Sequence, residues 1–431
     1  MHVFAQLERR EALGQPVRVA VAGTGFMGQG AMRQIKRMKG MRVVCAANRT
    51  LEKAIAALLA TGVRFDDIAV CDDPHDASRA IAAGRAVATS DLVLAASIPE
   101  VDVVMEATGN VEAGARVALA AIENRKHIVA ANPECQATVG PLIKHHADQA
   151  GVVYSDIDGD QPGLLMKLYD YCTGNGLQAV VAGNCKGVLK RYATPATQQA
   201  YAQENGISPW IATAAADGTK INLEMAIVAN ATGMRPAQRG MNGITTTVET
   251  LLEDFERAGL LAGAPIVEFT FGIPSGVFII ARTDDRQLQD EWRYLKMGPG
   301  PHYLFHNSRV LADFDSPISA AEAVLYGTAT IAPKGAPVAE VATFAKTGLK
   351  AGTALDGIGG FHCYGEIIDL KDGQAAGVLP VGLCEGAVLR RDIAIDQPIG
   401  LDDVEFEVET LPLRLRREQD ALFGEKAVVL L

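Results

Sequence analysis

Residues 16–38 read PVRVAVAGTGFMGQGAMRQIKRM, and this stretch decides the fold. The apolar run Val17–Ala22 predicts a buried strand, and a helical pattern follows the glycines directly. Between them, Gly23, Gly25 and Gly28 have the G-x-G-x-x-G spacing. In that motif the first glycine permits a tight turn, the second lets backbone approach a pyrophosphate, and the third lets the helix pack on the strand. The order predicts a dinucleotide-binding unit, with an ordinary βα turn as the alternative.

Two further buried strands are predicted in residues 101–110 and 126–134, with a connecting helix over 111–124. Alternation of strands and helices through residue 150 predicts a Rossmann-type α/β fold with a doubly wound parallel sheet. The carboxyl ends of such strands face a ligand crevice. The residues predicted to contact the coenzyme are Gly23, Gly25, Phe26, Met27, Gly28, Asn48, Arg49, Thr108, Gly109 and Asn132.

The end of the second strand, in MRVVCAANRT (41–50), predicts which coenzyme is bound. An acidic residue there would bind the ribose hydroxyls of NAD, but the chain offers Asn48, Arg49 and Thr50. A guanidinium pairs well with a 2′-phosphate, so we predict NADP(H) rather than NAD(H). The alternative is that Arg49 is a solvated charge at a strand end.

Composition narrows the class of protein. The 431 residues are 48% apolar and 21% charged, and no apolar run is long enough to span a membrane. The N-terminus MHVFAQLERR lacks the apolar core of an export signal, which predicts a cytoplasmic protein. A net charge of −11 argues against a nucleic-acid surface, so the expected partner is a small molecule.

An acidic stretch, YSDIDGDQPG (154–163), follows the predicted sheet and places Asp156, Asp158 and Asp160 at alternate positions. In an extended chain alternate residues share a face, so at least two carboxylates could converge on Mg²⁺, Mn²⁺ or sugar hydroxyls. The alternative is that one aspartate caps the following helix and the others are solvated.

Two lysines have settings typical of catalytic groups. Lys186 lies in VVAGNCKGVLKRY between glycines, and Lys220 begins a largely apolar helix with Glu224 four residues later. A buried lysine requires an anion nearby, although an exposed i, i+4 pair is the alternative. We predict that Lys186 and Lys220 polarise a carbonyl and supply a proton.

Carboxylates complete the predicted catalytic set. Asp158, Asp160 or Glu224 would hold a cation that stabilises an enolate-like intermediate. Glu134 and Asn132, at a strand end, would orient substrate hydroxyls. The metal itself is not predicted.

EATG (106–109) and VAANPE (129–134) resemble the nucleotide domain of homoserine dehydrogenases, which carry a lysine where this chain has Pro133. With DGDQPG (158–163), AGNCKG (182–187) and DGTK (217–220), the whole chain resembles the 1-deoxy-D-xylulose 5-phosphate reductoisomerase-like proteins. That resemblance implies an NADPH-dependent rearrangement and reduction of a phosphorylated sugar to 2-C-methyl-D-erythritol 4-phosphate, a step of isoprenoid biosynthesis. The resemblance to homoserine dehydrogenases implies a homo-oligomer.

The C-terminal part changes character from about Ala332, where frequent glycines and short alternating runs predict a β-rich domain. RRDIAIDQPIGLDDV (390–404) resembles SAF-like domains. The predicted domains are residues 1–155, an NADP-binding Rossmann domain; 156–330, an α+β substrate, catalytic and dimerisation domain; and 331–431, a SAF-like domain.

The sequence is compatible with three functions. The first is reductoisomerisation of 1-deoxy-D-xylulose 5-phosphate. The second is a dehydrogenase of another small polyol or hydroxy acid, homoserine-dehydrogenase-like and without rearrangement. The third is a non-catalytic regulatory protein that binds a sugar or nucleotide.

Overall fold

The computed structural model describes residues 2–424, whose contacts form two compact units. Unit 1 comprises the residues up to Asp160, Leu311–Gly335 and the segment that starts at Glu409. Unit 2 comprises Gln161–Val310 and Ala336–Val408. The boundaries predicted from the sequence, after residues 155 and 330, differ from these, and that three-part division stays a prediction.

A seven-stranded sheet forms the centre of unit 1. Its strands are β1 (Val17–Ala22), β2 (Met41–Ala47), β3 (Ile68–Val70), β4 (Ala86–Thr89), β5 (Val103–Glu106), β6 (His127–Ala130) and β7 (Tyr154–Asp156). Its first helices are α1 (Val3–Ala12), α2 (Phe26–Ile35), α3 (Leu51–Ala60), α4 (Pro74–Ala82), α5 (Leu94–Ser97), α6 (Val111–Glu123) and α7 (Pro133–Ala150).

The strand order is β3-β4-β2-β1-β5-β6-β7, and every neighbouring pair is parallel. The doubly wound α/β sheet predicted from the sequence is therefore confirmed. β1 pairs with β2 on one side and with β5 on the other, which makes it the point where the strand order reverses. In such sheets ligands bind outside the carboxyl ends of the strands at this point.

The central strand β1 is covered on both faces of the sheet, and five of its six residues are apolar. Val19 and Val21 of β1 belong to a core that also contains residues of α2 and α3. Ala20 and Ala22 point to the other face and belong to a core with residues of α6 and α7. A continuous apolar run rather than an alternating one is typical of a parallel strand covered on both sides.

Unit 2 has a mixed sheet built mainly from residues 178–307. Its strands are β8 (Gln178–Cys185), β9 (Arg235–Pro236), β10 (Ile244–Thr245), β11 (Ile266–Phe271), β12 (Val277–Arg282) and β13 (His302–Asn307). The helices are α8 (Gln161–Gly174), α9 (Pro195–Asn205), α10 (Pro209–Asp217), α11 (Thr219–Thr232), α12 (Leu251–Arg257) and α13 (Arg286–Tyr294).

β8 is the central strand of this sheet. It pairs in parallel with β11 and antiparallel with β12, and the path runs β10-β11-β8-β12-β13, with β9 also on β11. Helices α8 and α11 contact β8. The residues that follow β8 and those that begin α11 are thereby brought into one neighbourhood of unit 2.

The remaining elements are α14 (Ala312–Tyr326) in unit 1; β14 (Ala339–Ala345), β15 (Cys363–Asp369), α15 (Leu370–Ala376), β16 (Val388–Leu389) and β17 (Val404–Glu405) in unit 2; and α16 (Leu411–Gly424) in unit 1. Short 3₁₀ turns lie at Phe65–Asp67, Val381–Leu383 and Leu401–Asp403.

The β-rich character predicted from about residue 332 is confirmed by two antiparallel strand pairs, β14-β15 and β16-β17. The likeness to SAF-like domains stays a prediction. Helix α16, within the predicted third domain, packs instead on α6 and α7 of unit 1. The Leu411 N–H donates to the Glu112 carboxylate over 3.0 Å, and His146 Nε2 lies 3.0 Å from Glu418 Oε1. Within residues 2–424 we find no helix with the length and hydropathy of a membrane span.

Candidate functional site

The glycine turn after β1 lies where the sheet presents its crevice. Gly23 has φ +98°, and a Cβ there would lie 2.5 Å from the Ala107 carbonyl oxygen, so only glycine fits. A Cβ on Gly28 would lie 1.9 Å from the Gly23 carbonyl oxygen. A Cβ on Gly25 would meet nothing within 4 Å. The turn is therefore closed towards the sheet and open at its middle glycine, where a pyrophosphate would approach.

Helix α2 begins at Phe26, one residue after Gly25. Its first N–H groups and its dipole face the turn, which suits an anion. Phe26 is 52% exposed, and Met27 is half-buried at this helix start. The five turn residues predicted to contact a coenzyme thus lie together, and their role stays a prediction.

The strand ends beside this turn carry a polar network centred on Glu106, a residue that the sequence analysis did not select. Glu106 is buried, and its Oε1 accepts hydrogen bonds from the Thr108 N–H (2.7 Å) and hydroxyl (2.5 Å). The Asn132 amide donates to the Thr108 hydroxyl over 3.3 Å. Burial raises the pKa of Glu106 to about 6, and the charge of Glu134 adds to the rise while these hydrogen bonds oppose it.

A carboxylate directly after an apolar strand, within the EATG motif, was the signal available for Glu106. The network places the predicted residues Thr108 and Asn132 in contact at the ends of β5 and β6. Gly109, with φ +61°, follows Thr108. Glu134 lies in the first turn of α7, which Asn132 caps by accepting the Cys135 N–H.

The end of β2 carries the residues predicted to choose between the coenzymes. Asn48 accepts the Thr50 N–H over 3.0 Å, which fixes the turn before α3. Arg49 is exposed, and no ion pair found within residues 2–424 includes it. The nearest carboxylate that follows along the chain is Glu52, in the first turn of α3.

The acidic stretch is not one extended strand, contrary to the arrangement considered in the sequence analysis. β7 ends at Asp156, and Gly159 has φ +79°, which turns the chain before α8 begins at Gln161. Asp158 is buried; its carboxylate accepts the Gly159 N–H over 2.7 Å, and its own N–H donates to the Ser319 hydroxyl. Asp160 directly precedes α8 and is half-buried.

Within residues 2–424, the one set of three side chains spaced to hold a metal is Asp73, His75 and Asp76, all exposed near the start of α4. Neither Asp158 nor Asp160 belongs to it, nor does Glu224 of unit 2. A metal at the predicted carboxylates stays a prediction without geometric support.

Unit 2 brings three predicted catalytic residues together around a buried carboxylate. The Glu224 side chain is 4% exposed, and its Oε1 lies 3.5 Å from Lys220 Nζ. Its Oε2 accepts a hydrogen bond from Asn184 Nδ2 over 2.9 Å. Because the carboxylate fixes the amide nitrogen, the buried Asn184 Oδ1 points elsewhere, and it has no hydrogen-bond partner within the described chain. A buried acceptor without a donor is what a ligand hydroxyl or ammonium would satisfy.

Lys186, the residue after β8, belongs to the same neighbourhood. Its Nζ donates to the Ala215 carbonyl oxygen over 2.6 Å. Burial lowers the pKa of Lys186; the charges of Glu224 and Asp217 oppose this change and that of Lys220 adds to it. The charges of Glu224 and Lys220 therefore both act on the Lys186 ammonium group. An ammonium group with a lowered pKa gives up its proton more readily.

Two further cations follow Lys186 along the chain. Lys190 and Arg191 lie in an irregular loop before α9, and the Arg191 guanidinium pairs with Glu366 at 2.6 Å. Arg191 also lies over the Tyr364 ring, 5.2 Å from its centre. The pattern of charges alone did not reveal these partners, which are far away in the sequence.

A second feature that the sequence did not reveal is a buried ion pair before α11. Lys346 Nζ donates to Asp217 Oδ2 (2.9 Å) and to the carbonyl oxygens of Ala193 and Gly360 (both 2.8 Å). Both side chains are at most 2% exposed. Asp217 Oδ1 accepts the Thr219 N–H, so Lys346 fixes the start of the helix that carries Lys220 and Glu224.

Two family models match successive segments of the chain. Residues 23–154 match the family model of the homoserine dehydrogenase NAD-binding domain. Residues 159–315 match that of the oxidoreductase DRL catalytic domain. The chain thus carries a dinucleotide-binding domain followed by an oxidoreductase catalytic domain. The glycine turn lies in the first match, and Asn184, Lys186, Lys220 and Glu224 lie in the second.

Curated relatives are similar to part of the chain. A homoserine dehydrogenase of Synechocystis sp. is 29% identical over 181 residues, which cover 41% of this chain and 38% of that protein. One of Pseudomonas aeruginosa is 30% identical over 139 residues, 32% of this chain and 28% of that protein. The matched stretch is well under half the length of either relative.

Solved structures align with this chain at low identity. A homoserine dehydrogenase from Thiobacillus denitrificans aligns over 89% of this chain and 97% of that chain, with 16% identity and a TM-score of 0.44. A 1-deoxy-D-xylulose 5-phosphate reductoisomerase from Zymomonas mobilis aligns over 72% and 81%, with 18% identity and a TM-score of 0.35. Neither alignment distinguishes a dehydrogenase from a reductoisomerase.

Proposed function

We propose that the protein is an NADP(H)-dependent dehydrogenase that interconverts the carbonyl and alcohol forms of a small polar molecule, such as a polyol or hydroxy acid, without rearranging its carbon skeleton. The observation that carries this proposal is the cluster of Lys186, Lys220 and Glu224 with the unpartnered oxygen of Asn184. It lies in the segment that matches an oxidoreductase catalytic domain. The curated relatives, both homoserine dehydrogenases, support the same class of reaction.

Carbonyl reduction needs a hydride at carbon and a proton at oxygen, and bound NADPH supplies the hydride. Lys186 is the proposed proton donor, because its pKa is lowered mainly by burial. Lys220, held by Glu224, is proposed to polarise the substrate oxygen. The Asn184 oxygen would accept a hydrogen bond from a neighbouring substrate hydroxyl or amine. In the reverse direction Lys186 takes the alcohol proton as the hydride leaves carbon.

The preference for NADP(H) rests on the end of β2. Arg49 is exposed and Asn48 stands where an acidic residue would bind the ribose hydroxyls of NAD. We propose that the Arg49 guanidinium pairs with the 2′-phosphate. Glu106, Thr108 and Asn132 would hold the strand ends beside the coenzyme in place.

Three finer predictions remain proposals: a phosphorylated sugar as substrate, a divalent cation at Asp158 or Asp160, and a homo-oligomer. Reductoisomerisation would use the same coenzyme and both amines but needs a stabilised enolate as well. The chain turns at Gly159 and the Asp158 carboxylate accepts the Gly159 N–H, which supports reductoisomerisation less than simple dehydrogenation.

The test is a coenzyme assay on the purified chain. NADP⁺ reduction with homoserine and with a panel of polyols and hydroxy acids is followed by absorbance, beside NADPH oxidation with 1-deoxy-D-xylulose 5-phosphate, each with and without Mg²⁺ or Mn²⁺. We expect turnover with an alcohol of the panel that does not require added metal. Turnover of the phosphosugar alone, dependent on metal, would reject the dehydrogenase in favour of the reductoisomerase. Coenzyme binding without turnover of any substrate would reject both and support a regulatory protein.

A further inference from the structure

Unit 1 has a second concave site at the amino-terminal ends of its strands, and the glycine turn lies at their carboxyl ends. An open cavity of about 780 Å³ is lined by residues at the beginnings of β1, β2 and β4, among them Pro16, Arg18, Arg42 and Ala86. The glycine turn follows the other end of β1. The six residues of β1 separate its two ends by about 20 Å, so the cavity is distinct from the coenzyme crevice.

Four arginines line this cavity: Arg10, Arg18, Arg42 and Arg85. They come from α1, β1, β2 and the turn before β4, so only the folded sheet brings them together. Such a concentration of positive charge is unexpected in a protein of net charge −11. Like charges repel one another, and an arginine cluster of this kind is typical of sites for multiply charged anions.

Two of the arginines are neutralised and two are not. Arg42 pairs with Glu11 at 2.8 Å, and Arg18 Nε lies 3.9 Å from Asp102 Oδ2. Among the ion pairs of residues 2–424, none includes Arg10 or Arg85.

Backbone carbonyls orient the two unneutralised groups. Arg10 Nε donates to the Gln15 carbonyl oxygen over 2.8 Å, and Arg85 Nη2 donates to that of Ile68 over 2.5 Å. Among the described residues, Asp67 is the one carboxylate that lines the cavity, and its Oδ2 lies 3.4 Å from Arg64 Nε. The cavity therefore offers oriented guanidinium groups with positive charge in excess.

The rest of the lining is apolar. Val43, Val44, Val63 and Ile81 are half-buried and contribute to the wall. A site with a charged side and an apolar wall suits an anion with a flat or apolar body better than a bare inorganic ion. The volume is within the range of sites for ligands of that size.

We propose that this cavity binds a small organic polyphosphate, with its phosphates on Arg10 and Arg85 and its ring against the valines. This inference does not depend on the proposed dehydrogenase activity. The ligand would be a second molecule, bound together with the coenzyme.

The test is calorimetric titration of the full chain with ADP and, separately, with pyrophosphate, both in saturating NADPH so that the coenzyme crevice is occupied. We expect one ADP per chain, an affinity that falls as salt is added, and weaker binding of pyrophosphate. Arg10→Ala with Arg85→Ala should weaken ADP binding by about tenfold or more, since each removes a charge-assisted hydrogen bond. Arg79→Ala, which removes an exposed arginine of α4 outside the lining, is the matched control.

Three results would overturn the proposal: no ADP binding at millimolar concentration, equal binding to the double variant and the wild type, or pyrophosphate binding as tight as that of ADP. The melting temperature of the wild-type chain provides a test that does not depend on whether the variant folds. With NADPH present, ADP should raise the melting temperature further, and an unchanged melting temperature would also contradict the site.

Discussion

Replacing Glu106 by glutamine should remove a pH dependence of stability that the buried carboxylate creates. Burial raises the pKa of Glu106 from 4.5 to about 6, and the nearby Glu134 adds to the rise. This pKa difference of about 1.5, at about 1.4 kcal/mol per pKa unit, corresponds to about 2 kcal/mol of folding free energy. Because the pKa is raised on folding, the stabilising contribution is complete below about pH 4.5 and is lost as the pH rises through 6.

Glutamine keeps an oxygen that accepts from Thr108 but does not ionise. The free energy of unfolding of Glu106→Gln relative to the wild type should therefore rise by about 2 kcal/mol between pH 4.5 and pH 8. Urea unfolding at several pH values measures this difference. Exchange protection of the β5 amides identifies the transition that belongs to unit 1.

Glu123→Gln is the matched control, because it removes an exposed carboxylate from α6. A difference between Glu106→Gln and wild type that stays constant from pH 4.5 to pH 8 would refute the reasoning. So would a difference of opposite sign, in which the variant loses stability as the pH rises.

Three further substitutions test other parts of the account. Arg49→Asp should lower kcat/KM with NADPH by about tenfold relative to NADH, since a guanidinium–phosphate pair is replaced by repulsion, and an unchanged preference would contradict the 2′-phosphate assignment. Gly28→Ala, whose Cβ would lie 1.9 Å from the Gly23 carbonyl oxygen, should abolish tight NADPH binding in a fluorescence titration; normal binding would show that the turn tolerates the side chain. Lys346→Met should lower the free energy of unfolding, measured with urea, by about 3–5 kcal/mol, because it leaves Asp217 buried and unpaired. The double variant Lys346→Met with Asp217→Asn should recover much of this loss. An equal loss in the single and double variants would argue against the ion pair.

Local sequence patterns predicted the strands and helices around the glycine turn of unit 1 well. The apolar run of β1, the glycine spacing and the pattern of α2 lie within about twenty residues, so their geometry depends on neighbours in the chain. The strands β5 and β6 and the helix between them followed from the same alternation. Thr108 and Asn132 follow the carboxyl ends of β5 and β6, and these ends lie side by side because the two strands pair in parallel.

The features that were missed depend on contacts between distant residues. Lys346 and Asp217 are 129 residues apart, and Arg191 meets Glu366 only in the folded unit. Alternation of Asp156, Asp158 and Asp160 suggested a shared face, but the chain turns at Gly159, which has φ +79°, and the Asp158 carboxylate accepts the Gly159 N–H. No local pattern indicated that α16 would pack against the first unit.

The measurement that tests the central claim most directly is the rate of hydride transfer in Lys186→Ala, compared with Lys190→Ala, which removes an exposed charge from the same loop. With an active substrate, the account predicts that Lys186→Ala binds NADPH with wild-type affinity while its kcat falls by about a hundredfold or more, and that Lys190→Ala keeps wild-type values of both. Wild-type turnover in Lys186→Ala, or a loss confined to NADPH affinity, would contradict the assignment of the lysine cluster as the catalytic centre.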